Sequence, residues 1–491
     1  MRDDGARPAT SAAPIPRRRP TRATWLAAVA AGLVTALLLR VRTTPDVDLW
    51  LHLRTGELLR AGERFGALPD PMAALADRTY VPTQWLAQVA MSLVHDASGT
   101  TGIEAARLLL VLALGAAVLL ASRAVAGPGA SLLATALTML GAAAAWGERP
   151  QLAGVVLLAL VVAAWWWASE RGRVPWVVVP LTWLWATVHG SWLVGIGAGV
   201  VVLVGGALDR RWTGRRLVLV AAVPVLSVAA AAATPLGTAA VLEPFRISSV
   251  AGLTANEWQR PTPGNPLLLV VLVACVLALL GVVRSRRRRW TRVLSVAAAL
   301  VLALAMVRTI ATAAVVLAPA LAHGLDDLGG RLARAGRDDP SGATPSARGA
   351  RVPGEWMGWA LAAGVLLAVG GWHVATTPFG PPVSERVSAA VAVLPPDAVL
   401  AVDGKAVGWV EWAHPDRRPL RDLRAEVYSV PVATDYERFQ EAEAGWSGLA
   451  DRYGVTAVLA DRDRPLDAAL AGEPAWRVAA EDPDFRLWVR P

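Results

Sequence analysis

Two carboxylates and an imidazole stand close together in the stretch from Asp46 to Gly56, which reads DVDLWLHLRTG. Asp46, Asp48 and His52 are residue types that move protons, and a carboxylate is a suitable general base for an acceptor hydroxyl. In a helix the side chains of Asp46 and Asp48 would diverge by about 200° around the axis. We therefore predict that one of these two carboxylates is catalytic and the other structural, without assigning which is which.

The same residues also admit plainer roles. Asp46 follows Pro45 and could serve only as a helix N-cap. Asp48 and His52 lie four residues apart, on one helical face, and could form only a local pair. Both alternatives stay open at the level of sequence.

The chain around this stretch is organised for a membrane. It has 491 residues, 55% of them hydrophobic, and many apolar runs approach the ~20 residues that cross a bilayer. We predict an α-helical polytopic membrane protein with about 11 transmembrane helices and a small C-terminal α/β domain. The predicted spans are 23–40, 101–122, 131–146, 152–169, 174–188, 191–208, 217–234, 264–283, 293–307, 310–323 and 356–376.

The arginines indicate an orientation. The formal net charge is +9, but arginines concentrate in short segments on one side of the predicted spans, as cytoplasmic segments do. This pattern predicts a cytoplasmic N-terminus and an extracytoplasmic C-terminal domain, and no nucleic-acid partner. Residues 174–208 and 293–323 could each be one long helix, but His189–Gly190 and Arg308–Thr309 interrupt them and favour hairpins.

Composition divides the chain into five parts. We predict a disordered cytoplasmic tail at 1–22, a membrane domain at 23–323 with a first outer loop at 41–100, a cytoplasmic linker at 324–355, a last span at 356–376 and an extracytoplasmic α/β domain at 381–491. In that last domain we expect strands at 399–402, 455–460 and 485–489 and helices at 433–443 and 465–470. The single cysteine, Cys275, lies in an apolar run and excludes a disulfide framework.

Further polar residues fall at span ends on the predicted outer side. Ionisable residues at a membrane are costly and mark sites that line a cavity or bind something. We predict a site for an anionic head group and assign no metal ligands, although a divalent metal stays open as a cofactor. The predicted substrate-binding residues are Trp50, His52, Glu148, Arg149, His189, Glu257, Trp258 and Arg308.

Several of these residues also admit roles that involve no substrate. Glu148 and Arg149 could form a solvated turn in which Pro150 starts the next helix. His189 could sit at a helix kink, Glu257 could be ordinary loop polarity, and Arg308 could extend its charge to the membrane surface.

Several short motifs resemble a group of largely uncharacterised bacterial polytopic membrane proteins. They are the opening stretch, LPDPM at 68–72, QWLAQ at 84–88, ERPQ at 148–151, VHGSWLVG at 188–195 and NEWQ at 256–259. The chain departs from that group at Leu51, Met72 and Gln84, where Trp, Phe and His are usual. The group is similar to the GT-C superfamily of integral-membrane glycosyltransferases, which use polyprenyl-phosphate-linked sugars.

The resemblance implies a glycosyltransferase. It would transfer a sugar from a polyprenyl-phosphate carrier to a cell-envelope glycan or protein acceptor, with inversion, next to membrane lipid. An alternative is a non-catalytic membrane protein that binds, presents or flips lipid-linked glycans. A small-solute transporter is disfavoured because the polar residues gather at one membrane face, and no inverted repeat is evident.

Overall fold

A computed structural model describes residues 45–251, 256–284, 289–335, 364–365, 367–368, 370–372, 374–376 and 380–490. Residues 49–335 of this set are helical apart from their connections. In chain order the helices are α1 (Leu49–Arg60), α2 (Trp85–Arg123), α3 (Pro128–Gly141), α4 (Pro150–Arg171), α5 (Val178–Val188), α6 (Trp192–Leu208), α7 (Gly214–Ala232), α8 (Ala239–Ala251), α9 (Pro266–Arg284), α10 (Trp290–Ala305) and α11 (Ile310–Ala335).

The helices that follow the first loop form an apolar bundle. Within the described ranges, five segments are long and apolar enough to cross a membrane, and the shorter helices α3, α5, α6 and α10 are apolar too. All nine predicted spans between 101 and 323 coincide with one of these helices. Predicted span 23–40 lies outside the described residues and span 356–376 lies largely outside them, so the total of 11 stays a prediction.

Breaks in the bundle occur at particular residues. Helix α2 begins at Trp85, continues through predicted span 101–122 and bends at Gly99, whose φ is 61°, a value that glycine adopts readily. His189 is extended, with φ −164° and ψ 138°, between α5 and α6. Met306 is extended between α10 and α11, which pack side by side. The prediction of two helices in each long run is therefore confirmed.

Residues 380–490 form a small α/β unit. Its strands are β1 (Leu400–Val402), β2 (Ala457–Asp461), β3 (Arg477–Glu481) and β4 (Phe485–Val489), in the sheet order β1-β2-β4-β3. Strands β1 and β2 are parallel, and the other pairs are antiparallel. Its helices are α12 (Glu385–Ala392), α13 (Val407–Ala413), α14 (Val430–Gln440), α15 (Trp446–Arg452) and α16 (Pro465–Ala471).

The three predicted strands and both predicted helices of this unit are present, with small shifts in their ends. Strand β3 was not predicted. Four of its five residues are exposed, so it lacks the alternation of apolar and polar residues that identifies a half-buried strand.

The C-terminal unit packs directly on the first loop. Helix α13 lies against α1, where the rings of Trp50 and Trp412 pack at an angle of 37° with centroids 4.8 Å apart. The Trp412 indole N–H donates to Glu57 Oε1 at 2.8 Å. Arg424 forms a buried ion pair with Asp70, at 2.7 Å. The first loop and the C-terminal unit therefore lie on the same side of the helix bundle.

Candidate active site

Asp46 and Asp48 both lie in the turn immediately before α1. Asp48 is the residue before the helix, but its side chain makes no capping hydrogen bond. Asp46 Oδ1 accepts the Asp48 backbone N–H at 3.1 Å, and the Asp46 N–H donates to Glu148 Oε2 at 2.9 Å. Asp46 is buried and Asp48 is half-buried. The N-cap position belongs to Asp48, so Asp46 orders the turn that precedes the helix.

Arg149 brings these carboxylates together. It stands immediately before Pro150, the first residue of α4, in an extended conformation with φ −120° and ψ 153°. Proline suits this first helical position because its φ is already helical and it lacks an N–H that would stay unbonded. The Arg149 guanidinium pairs with Asp46 through Nε and with Asp48 Oδ2 at 3.0 Å through Nη1.

A second arginine, Arg308 in the turn between α10 and α11, lies at the same place. Glu257 bridges the two guanidinium groups, with Oε2 3.4 Å from Arg149 and Oε1 3.2 Å from Arg308. The Arg308 guanidinium also lies 4.4 Å from the centre of the Trp258 ring, within cation–π range. We call Asp46, Asp48, Arg149, Glu257 and Arg308 the carboxylate–arginine cluster.

Backbone contacts hold the two distant turns of this cluster together. Asn256–Trp258 and Val307–Thr309 are each a single 3-10 turn. The Val307 N–H donates to the Gln259 carbonyl at 3.0 Å. Glu257 and Arg308 are thereby fixed side by side, although they are far apart in sequence.

Next to the cluster lies a buried ionic support that joins Glu148, which the sequence predicts as a site residue, to Arg107 and Glu104, which it does not. Arg107 Nε lies 3.0 Å from Glu148 Oε1, and the Arg107 guanidinium pairs with Glu104 at 2.7 Å. All three side chains are at most 4% exposed. The available signal was a pair of opposite charges three residues apart within predicted span 101–122, where ionisable residues are rare and usually functional.

His52 faces the bundle but does not pair with Asp48. Its Nδ1 lies 3.2 Å from Gln88 Nε2, which also donates to the Tyr80 hydroxyl at 3.4 Å. Close packing places α1 here, since a Cβ at Gly56 would lie 2.1 Å from the Gln88 carbonyl oxygen. Burial, helped by the charge of Arg149, lowers the pKa of His52 to about 3. This imidazole is therefore neutral.

His189 lies at the same face in the break between α5 and α6. The Ser191 backbone N–H donates to Nδ1 of His189 at 3.1 Å, which leaves the ring proton on Nε2. Burial, followed by the charge of Arg308, lowers the pKa of His189 to about 3. The side chain is a neutral hydrogen-bond donor close to the two arginines.

The two candidate catalytic carboxylates differ in their electrostatics. Burial raises the pKa of Asp48 to about 6, although the Arg149 charge opposes that shift. For Arg149, burial would lower the pKa, but Asp48, Asp46 and Glu257 raise it above its ordinary value. The site thus combines a permanent cation with a carboxylate that titrates close to neutral pH.

Not every predicted residue joins this cluster. Glu148 supports it from below, Trp258 packs on Arg308, and His52 and His189 lie within electrostatic reach. Trp50 instead faces the C-terminal unit, where it packs on Trp412, and its ring centre lies 6.3 Å from that of His95.

No family model matches the chain, and no curated protein matches it. Solved structures do. The apo oligosaccharyltransferase of Archaeoglobus fulgidus aligns with a TM-score of 0.52 at 12% identity, covering 88% of this chain and 69% of that one. A complex of the same archaeal enzyme, AglB, with an inhibitory peptide and a dolichol-phosphate gives 0.51 at 12% identity, with 88% and 69% covered. ArnT from Cupriavidus metallidurans gives 0.52 at 16% identity, covering 94% of this chain and 97% of that chain.

Both of these proteins are glycosyltransferases of the GT-C superfamily. At these identities the likeness is one of fold, and it extends over nearly the whole chain. The resemblance of the sequence motifs to that superfamily is therefore matched by the three-dimensional structure.

Proposed function

We propose that this chain, which has the fold of the GT-C membrane glycosyltransferases, transfers a sugar from a polyprenyl-phosphate carrier to a cell-envelope acceptor. The carboxylate–arginine cluster is the observation that carries this proposal. Two guanidinium groups can hold a phosphate, and a partly exposed carboxylate beside them can act as a base. The complexes of related fold include one with a dolichol-phosphate, a lipid phosphate of the proposed kind.

Asp48 is the proposed general base. Its side chain is 23% exposed, against 6% for Asp46, and its raised pKa suits proton transfer near neutral pH. Asp46 instead accepts a backbone N–H and pairs with Arg149, so its proposed role is to position that arginine.

The proposed reaction is a single displacement with inversion. The acceptor hydroxyl gives its proton to the Asp48 carboxylate while its oxygen attacks the anomeric carbon. The bond from that carbon to the phosphate oxygen breaks, and polyprenyl phosphate leaves with the electron pair. Arg308 and Arg149 offset the negative charge of the leaving phosphate, and the Nε2–H of His189 can donate to it.

Glu257 occupies the position between the two arginines where the donor phosphate would bind. Its carboxylate already bridges Arg149 and Arg308 as a bound anion would. The side chain is 36% exposed, so it can move aside when the lipid phosphate arrives. On this proposal Glu257 orders the two guanidinium groups before the donor binds.

Single substitutions test the assignment. In membranes supplied with a panel of polyprenyl-monophosphate sugars, we expect Asp48→Asn to lose at least about 100-fold in kcat, the usual contribution of a general base. Asp46→Asn should lose about tenfold because it acts through the position of Arg149. Asp96→Asn, an exposed carboxylate that pairs with Arg60, is the matched control and should stay active. Full activity in both Asp46→Asn and Asp48→Asn would disprove the mechanism.

The same experiment separates the alternative function. A protein that only binds, presents or flips lipid-linked glycans would retain the labelled lipid in both variants and in the parent chain. It would show sugar transfer in none of them.

We further propose that the site faces the outside of a bacterial plasma membrane, with the N-terminus in the cytoplasm. Cysteine labelling in a Cys275→Ser background tests this. Val393 of the C-terminal unit is 82% exposed, and Thr213 is exposed in an arginine-rich turn between α6 and α7. In intact cells, an impermeant maleimide should label Val393→Cys and should label Thr213→Cys only after permeabilisation. The reverse pattern would place the site in the cytoplasm.

A further inference from the structure

A single guanidinium lies where three carboxylates of the candidate site converge. Arg149 is bonded to Asp46, lies 3.0 Å from Asp48 and lies 3.4 Å from Glu257. These carboxylates come from the turn before α1 and from the 3-10 turn at 256–258. Arg149 is the one residue of the cluster that all three of them contact.

This cation is permanent. A guanidinium keeps its charge throughout the physiological pH range, and the surrounding carboxylates raise the pKa of Arg149 further, despite its burial. Its backbone is fixed by Pro150 at the start of α4. Glu148, the residue before it, is held by Arg107. Arg149 therefore has little freedom to withdraw from the carboxylates.

A divalent ion does not fit the same carboxylates. Such an ion needs several oxygen atoms within about 2.0–2.6 Å, whereas one oxygen of each carboxylate is turned towards Arg149 and Glu257 Oε1 is turned towards Arg308. Of the residues whose placement is described, no three His, Cys, Asp or Glu side chains are arranged to hold a metal ion. A divalent cation in this space would also lie against the positive charge of Arg149.

We propose that Arg149 is the resident cation of the site and that it takes the place of a divalent metal ion. This proposal rests on the proposed function, because it assigns to Arg149 the neutralisation of charge on the leaving phosphate. It implies that sugar transfer proceeds without added metal. It also implies that removing the guanidinium turns the three carboxylates into a metal site.

Manganese binding tests the proposal without any sugar substrate. We would titrate the purified full chain with Mn²⁺ and follow free Mn²⁺ by electron paramagnetic resonance. The parent chain and Arg149→Lys, which keeps a cation, should show no saturable site in the cluster. Arg149→Ala should gain one Mn²⁺ site that is at least about tenfold tighter than any binding by the parent. Adding Asp48→Asn to Arg149→Ala should abolish that site.

Arg246→Ala is the matched control. Arg246 lies on the same side of the bundle, where it pairs with Glu243 at 2.9 Å and donates to the Thr79 carbonyl, and it is not part of the cluster, so its removal should create no Mn²⁺ site. Saturable Mn²⁺ binding by the parent chain that Asp48→Asn removes would overturn the proposal. That comparison needs no Arg149 variant, so it remains decisive if Arg149→Ala does not fold.

A second arm measures transfer after treatment with EDTA. The rate should stay within about twofold of the rate with added Mg²⁺ or Mn²⁺, and a loss that Mn²⁺ restores would overturn the proposal. If no donor sugar is transferred under any condition, the proposed function fails. The Mn²⁺ titration still decides whether Arg149 holds the place of a metal.

Discussion

Asp46 and Asp48 are separated by one residue, yet they meet different surroundings. Asp46 is buried, accepts a backbone N–H and pairs with Arg149, whereas the side chain of Asp48 is partly exposed to solvent. Burial raises the pKa of Asp48 to about 6, and the negative charge of Asp46 contributes to that rise. Two identical side chains can therefore take different roles, one structural and one catalytic.

A pH profile follows from this difference. A general base must be ionised, and Asp48 is mostly protonated below its pKa of about 6. We expect kcat to be level above about pH 7 and to fall about tenfold per pH unit below about pH 6.

The variant Asp46→Asn tests the direction of this effect. It removes a negative charge that favours the protonated form of Asp48, so the acid limb should move to lower pH. An acid limb near pH 4 in the parent chain would contradict the role given to Asp48.

The sequence predicted most of the polar residues at the site but not their contacts. Asp46, Asp48, Arg149, Glu257 and Arg308 were all expected at one membrane face, and they form one cluster. Their pairing depends on how four separate turns meet, which charge and spacing do not encode.

Two residues show the limits of sequence patterns at this scale. Trp50 shares its helix with His52 but faces the C-terminal unit, because α1 packs on two sides at once. Arg107 lies inside an apolar run. The run as a whole predicts a membrane span, and this pattern gives no separate indication of the role of one charged residue.

At the scale of elements, α13 supports the turn that carries the carboxylates. Gly408 in α13 packs on α1 so closely that a Cβ there would lie 3.1 Å from the Leu51 nitrogen and 3.2 Å from the Val47 oxygen. Val47 is the residue between Asp46 and Asp48. The C-terminal unit thus touches the backbone of the candidate catalytic turn.

Gly408→Ala should therefore impair catalysis more than binding. The added methyl group must push α1 by a few tenths of an ångström, and small misplacements of a reacting group reduce rates steeply. We expect kcat to fall about tenfold while the KM for the donor changes by less than about twofold. Steady-state kinetics with the lipid-linked sugar measures both.

Gly404→Ala is the control, because the nearest side chain to a Cβ there is at 3.6 Å, an ordinary contact. Equal effects of the two substitutions on kcat, or a larger effect of Gly408→Ala on KM, would argue against a positioning role for α13.

Elements were more predictable than their arrangement. The apolar spans and the elements of the α/β unit could be predicted because the length and period of apolar runs are properties of the local sequence. The packing of α13 on α1 joins residues far apart in the chain. The apolar periodicity of either helix does not indicate which element it packs against.

At the scale of the whole molecule, a buried ionic contact joins the first loop to the C-terminal unit. Arg424 donates to Asp70 at 2.7 and 3.1 Å and to Asp422 at 2.6 Å. The side chains of Arg424, Asp70 and Asp422 are all at most 2% exposed. Removing one member of such a network leaves buried charge without a partner.

Arg424→Met should destabilise the protein by about 3–5 kcal/mol, because it leaves Asp70 and Asp422 buried together. Arg452→Met removes an ion pair of the same type with Asp435, but Arg452 is 64% exposed, so about 1 kcal/mol or less is expected. Denaturant unfolding followed by tryptophan fluorescence compares the two. If Arg424→Met lowered the free energy of unfolding by as little as Arg452→Met does, about 1 kcal/mol or less, the buried network would contribute little to stability.

The docking of the C-terminal unit on α1 also has a consequence for the timing of biogenesis. Asp70 leaves the ribosome 354 residues before Arg424, which corresponds to roughly 20–70 s of translation. During that interval the surface of α1 that carries Trp50 lacks its contact with Trp412. The turn that carries Asp46 and Asp48 then lacks the support of α13, and we expect the proposed activity to begin only after synthesis has passed the C-terminal unit.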